Sequence, residues 1–399
     1  MVDNWVNMRV FTDSVLAFGK NISASSIIMV IIAVFMVVGL IDKLRGNKLG
    51  YGAQFDAGFQ AMGDLALAIV GIIAISPVLL RLLSPLVTPV FEVAGISPAM
   101  FPASILALDM GGYSMSMQMA AGDAAIGNYA GIIVASMMGI TICFTLPYAL
   151  EVVKKEDHSL FATGILLGIV TLPIGCLLGG IAMAFTSTPL AFGTLIRNTL
   201  PVLLLAVVVG IGLVLNQKLM IRIFTGFGKF ITFLATISPG IAIFQYLTGI
   251  RFPLFYLMVE QDAVLGGEPL LVGLLLVGLI AIVLAGAFPM LLFLNRRLDK
   301  LMTAFGKKAA IGKESTTGLV TQLASSIPVW SVLKDMDNRG KLLNVAFAVS
   351  GSFVLGDVLA FTGGANAEMI FPVIIAKLSG GICAILLALF LMNKKIIKY

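Results

Sequence analysis

The sequence predicts an all-α polytopic membrane protein of about nine full transmembrane helices plus two broken re-entrant segments in inverted repeats. Three observations carry that prediction. Of 399 residues, 59% are hydrophobic and only 12% charged, with a mean hydropathy of +1.06; soluble domains carry about 25% charged residues. Apolar runs recur from Ile27 to Met392, many near the roughly 20 residues that one bilayer crossing needs. Basic residues, finally, gather in alternate connections between those runs.

In chain order, residues 1–26 form an N-terminal extension with Trp5, Val6, Val10, Phe11, Val15, Leu16 and Phe18 as apolar points. They lack the apolar core and cleavage site of a signal peptide and predict a short surface helix or a tail. Apolar segments follow at 27–41, 58–80, 98–118, 127–149, 160–185, 197–216, 226–247, 268–294, 317–333, 342–361 and 368–392. Residues 27–393 are expected to form a single transmembrane domain, and 394–399 a cytoplasmic tail.

Two segments depart from the rest. Asp109, Gly111 and Gly112 interrupt 98–118, and Ser325, Ser326 and Pro328 interrupt 317–333. Proline and paired glycine break helices, and unwound backbone survives at membrane depth only when covered by protein or lining a watery cavity. If both segments leave on the side they entered, 20 of the 26 Lys and Arg residues fall on one face and five on the other. Full crossings would mix the signs. The positive-inside rule therefore predicts nine crossings in the inner, cytoplasmic membrane, N-terminus outside and C-terminus inside.

The broken segments also align. At an offset of 217, Gly95, Leu106, Ala107, Ser114, Met119, Gly139, Phe144 and Thr145 match Gly312, Leu323, Ala324, Ser331, Met336, Gly356, Phe361 and Thr362. With one segment entering from each side, this pattern predicts inverted repeats over about 58–185 and 268–392, with a substrate site between discontinuous helices.

Carboxylates supply the chemistry. Asp64, Asp109 and Asp357 lie inside apolar segments, with Asp56, Asp123 and Glu368 near edges. Ionisable groups at depth are costly and usually face a cavity. Of the basic residues only Lys377 lies within a span, so Asp109 and Asp357 suit a mobile cation, such as a protonated amine. Tyr113 and Trp330, at matched positions beside the breaks, could add cation–π attraction. Gln118, Gln322, Ser325, Ser326 and Asn344 could read a hydroxyl. Against this stand plainer roles: Asp109 and Asp357 as caps of helix fragments, and Tyr113 and Trp330 as packing aromatics.

Other classes are disfavoured. Cys143, Cys176 and Cys383 are scattered and His158 is the sole histidine, so no metal or other cofactor is expected. No HExxH or GxSxG occurs and no span holds a histidine, which argues against an enzyme. The net charge of +6 resides in loops, so it signals orientation rather than nucleic acid. The bilayer is the expected surrounding, and a homo-oligomer stays open.

Several stretches carry a resemblance: GAQFDAGFQAMG at 52–63, ALDMGGYSMSMQMAAGD at 107–123, SMMGITICFTLP at 136–147, GIVTLPIGC at 168–176, KDMDNRGKLLNVAFAVSGSFVLGD at 334–357 and MIFPVIIAKLSGG at 369–381. In this order they resemble the EutH family of ethanolamine permeases, from about Ile27 to Asn393. The resemblance implies uptake of ethanolamine across the cytoplasmic membrane, by alternating access or facilitated passage, to feed a lyase pathway inside. It assigns no binding site. The serine pair 325–326 departs from the asparagines of the family, which weakens any strict role for those side chains. The competing class is an ion-coupled transporter of another small amine or polar solute.

Overall fold

Apolar runs this long leave the backbone no partner in lipid except itself, so the chain winds into helices. The structure, a computed structural model, describes residues 8–20 and 22–397. Trp5 and Val6, named above, and residues 398–399 of the expected tail lie outside the described residues.

A surface helix α1 spans Met8–Lys20. Helix α2, Ala24–Leu44, starts three residues earlier than the hydropathy suggests because Ser23 and Ser26 form a reciprocal capping box. Helix α3, Tyr51–Val93, has 43 residues. At 1.5 Å per residue it is about 65 Å long, roughly twice the hydrocarbon thickness. Two short helices follow, α4 (Met100–Ile105) and α5 (Gly112–Met119). Then come α6 (Ala124–Val152), α7 (His158–Phe185), α8 (Phe192–Leu215) and α9 (Gln217–Thr248). Helix α10, Pro269–Ala309, has 41 residues. The second half continues with α11 (Lys313–Ala324), α12 (Ile327–Val332), α13 (Asn338–Gly351), α14 (Asp357–Ala365) and α15 (Ala367–Asn393).

Among the described residues, eight helices are long and apolar enough to cross a membrane: α2, α3, α6, α7, α8, α9, α10 and α15. The segment expected as a ninth continuous crossing, 342–361, is two helices, α13 and α14, separated by 352–356. Residues 217–225 and much of 295–316, which lie between the apolar segments of the sequence, continue helices α9 and α10. Charge there does not mark where the helix ends.

Both broken segments are pairs of short helices that turn back on themselves. In the first, the Ser116 hydroxyl donates to Ala99 O across the arms at 3.0 Å. In the second, Asp337 Oδ1 accepts from Gly312 N (2.8 Å) and Ser315 Oγ (2.7 Å) and closes the open end. The long helices α3 and α10 lie against each other, α2 and α14 pack on α10, and α7, α13 and α15 form a second group. The α4–α5 hairpin packs on α6, whose stretches Tyr129–Gly139 and Thr141–Thr145 are wound as π-helix.

The connections sort into two sets. Ser97 meets Asn198, Ser187 meets Glu368, Asn128 meets Thr188 and Asn366, and Arg81 meets Tyr256. At the other end Arg296 meets Leu49, Gln217 meets His158, Lys341 meets Asp157, and Arg339 meets Asn393. Each of these pairs lies in the connections or at the ends of the apolar segments beside them.

Candidate functional site

The site is assembled from three interruptions. In the first, α4 stops at Ile105 and Leu106 is extended. The chain then turns through Leu108–Met110 to Gly111 at φ +93°. Gly111 supplies that left-handed step without strain. A Cβ on neighbouring Gly112 would fall 2.4 Å from Leu106 O, so this tight return also needs a glycine. The freed amides are used: Met110 N and Gly112 N donate to Ala107 O (2.9 Å each), and Ala107 N to Cys143 Sγ (3.2 Å).

The second interruption is at Ser325–Ser326, between α11 and α12. The third, Ser352–Gly356, docks against it. Phe353 N donates to Gln322 O and Leu355 N to Leu323 O, both at 2.8 Å. Phe353 sits at φ +64°, a left-handed conformation that costs a non-glycine residue roughly 1–2 kcal/mol. Those two bonds hold it there.

Where the interruptions meet lies a cavity of about 200 Å³. Its walls are Leu65 and Ala68 of α3, Ala107–Met110 of the first break, Ile140 and Phe144 of α6, Ile327 of α12, and Phe353, Asp357 and Val358 at the third break. Asp109 and Asp357 therefore share one space. Neither takes part in an ion pair; the two pairs found among the described residues are Lys43–Asp56 and Lys341–Asp157. Ala107 and Gly356, rather than the two aspartates, hold the N-cap positions of the following helices. Asp357 lies in the first turn of α14. Two acids and an apolar wall suit a small cation with a short carbon chain.

The remaining expected site residues stand outside the lining. Tyr113 packs edge-on against Phe361, ring centroids 5.7 Å apart. Gln118 donates to Ser76 Oγ (3.0 Å) and Ser114 O (3.1 Å). Gln322 donates to Asn344 Oδ1 at 2.7 Å, and Asn344 donates to Ser315 O and Gly340 O, so both brace the second hairpin. Trp330 is buried edge-on against Phe161. Ser325 Oγ accepts from Ile327 N at 3.3 Å, and Ser326 is buried with its hydroxyl unpaired, one residue from the lining. Asp64 is exposed, and Asp56 pairs with Lys43.

Sequence reasoning missed Met110, Phe144 and Phe353 as lining residues. Phe144 carried a weak signal as one of the matched positions. Lys377 turns out fully buried, its Nζ donating to Ser136 O at 2.7 Å, away from the cavity lining.

The family model described as "Ethanolamine utilisation protein, EutH" matches residues 24–391. The chain is 44% identical over 372 residues to a protein of Listeria monocytogenes named "Probable ethanolamine permease EutH", covering 93% of this chain and 95% of that one. It is 38% identical over 396 residues to the Salmonella typhimurium protein of the same name, covering 93% and 96%. A Bacillus subtilis protein named "Uncharacterized protein YxeR" is 42% identical over 357 residues, covering 90% and 92%. No solved structure matches the chain.

Proposed function

Because the chain belongs to the EutH family, we propose that it is a permease carrying protonated ethanolamine across the cytoplasmic membrane, with Asp109 and Asp357 as the carboxylates that receive the ammonium group. The observation behind this reading is the shared cavity, with two carboxylates outside any ion pair where three helix interruptions meet. An ammonium ion entering an apolar layer loses its hydration, at a cost of several kcal/mol. Two acids at that depth offset the loss. The ring of Phe144 or Phe353 offers the cation a further face, and the apolar wall suits the two-carbon chain.

Alternating access is the mechanism this architecture favours. A long helix, a broken hairpin, an interrupted or π-wound helix and a final crossing recur over 51–185 and 269–393. We read these as the inverted repeats expected from the sequence, the first extended at its N-terminal end to take in all of α3. Rocking one repeat against the other would expose the cavity to each side in turn. In this reading the face with the basic loops is cytoplasmic, and the C-terminus lies on it. Labelled ethanolamine in proteoliposomes tests the proposal: saturable uptake with trans-stimulation supports a carrier, and flux no faster than into empty vesicles removes the reading.

A further inference from the structure

Beside the carboxylate cavity lies a second one of about 380 Å³. It is bounded by the end of α6 with Tyr148 and Glu151, and by α9 with Lys229. Glu151 and Lys229 are exposed and belong to the basic-loop face, so this space is a vestibule on that side. Two residues, Met110 and Phe144, line both cavities. The Phe144 ring stacks on Tyr148 of the vestibule, centroids 5.7 Å apart and planes 11° apart. Its other neighbour is Phe353 of the central cavity, met edge-on at 5.8 Å. Met110 accepts the Cys143 thiol at 3.7 Å. Phe144 also sits in the π-wound turn Thr141–Thr145, an irregularity often found at functional positions.

We propose that Phe144 and Met110 form a septum between the two cavities and set which amines pass, a reading that rests on the permease assignment above. Charge cannot select there, because the vestibule carries one acid and one base. Shape can. A primary ammonium ion slips along the aromatic face with its donors towards Asp109, and the flexible methionine yields around it. A trimethylated ammonium has no N–H to donate and is wider in every direction. The septum therefore passes small primary amines and holds back quaternary ones.

The test uses the full chain in two assays. In the first, Ala68→Cys is placed on the cavity wall after each native cysteine is replaced, and is labelled with a trimethylammonium thiosulfonate reagent. Labelling should run about tenfold faster or more when Phe144→Ala or Met110→Ala is added. In the second, the ratio of choline to ethanolamine uptake in proteoliposomes should rise about tenfold in the same variants. Equal labelling rates with and without the septum side chains would overturn the proposal, even with ethanolamine uptake intact. Faster labelling together with no ethanolamine uptake by native protein would instead sink the permease reading and leave the septum standing as a barrier. Should Phe144→Ala fail to fold, Met110→Ala and Phe144→Leu carry the same comparison.

Discussion

Gly139 and Gly356 stand in the same relation to the first and second breaks. A Cβ on Gly139 would lie 1.9 Å from Leu106 O, and one on Gly356 would lie 2.1 Å from Ala324 O. Each glycine lets an interrupted or π-wound helix close onto the carbonyl that ends the first arm of a broken hairpin. Gly139→Ala and Gly356→Ala should each destabilise the folded protein by about 1–3 kcal/mol. Gly226, with nothing within 4 Å in the middle of α9, is the control, and Gly226→Ala should be neutral or stabilising by up to ~1 kcal/mol. Thermal unfolding in detergent separates the three variants.

Lys341 and Asp157 form a largely buried ion pair at 2.7 Å, with side-chain exposures of 10% and 11%. It ties the start of α13 to the start of α7. Removing one partner leaves the other charge without its counterpart, so Asp157→Asn or Lys341→Met alone should cost about 3 kcal/mol. The double variant should recover most of that loss. A double-mutant cycle on the unfolding midpoint reads the coupling directly, and additive losses would show that the pair contributes little.

Asp337 links stability to pH. Burial pushes its carboxyl up, but donors from Ser315 Oγ, Gly312 N and Gly340 N outweigh that and hold it below the ordinary value. Its contribution is then present above about pH 4, the unfolded value, and lost as pH falls through the folded one. Native protein should exceed Asp337→Asn in stability near neutral pH, and the difference should shrink in acid. A difference that stays constant with pH would place the bonding elsewhere.

Much of this was readable in the residues. Apolar length marked the crossings, and Gly111–Gly112 and Ser325–Ser326 announced the first two breaks through local backbone chemistry. Asp109 and Asp357 stood out because little in the neighbouring sequence could neutralise them. The third break could not be read the same way. SFVLG contains no proline, and it unwinds because the Gln322 and Leu323 carbonyls accept its amides, a tertiary effect. The π winding of α6 likewise has no periodic signature. Gln118, Gln322 and Asn344 lie outside the cavity lining and their amide nitrogens donate to the scaffold, a placement that looks the same in sequence as an amide facing a ligand.

The most direct measurement is uptake of labelled ethanolamine into proteoliposomes by native protein, Asp109→Asn and Asp357→Asn, with folding checked by thermal unfolding. Asparagine keeps the shape of the cavity wall and removes the charge. The account predicts saturable uptake by native protein and at least about a hundredfold loss in each folded variant, since a desolvated ammonium then loses a charge partner worth about 3 kcal/mol. Uptake by both variants at the native rate would contradict it and return the two aspartates to a structural role.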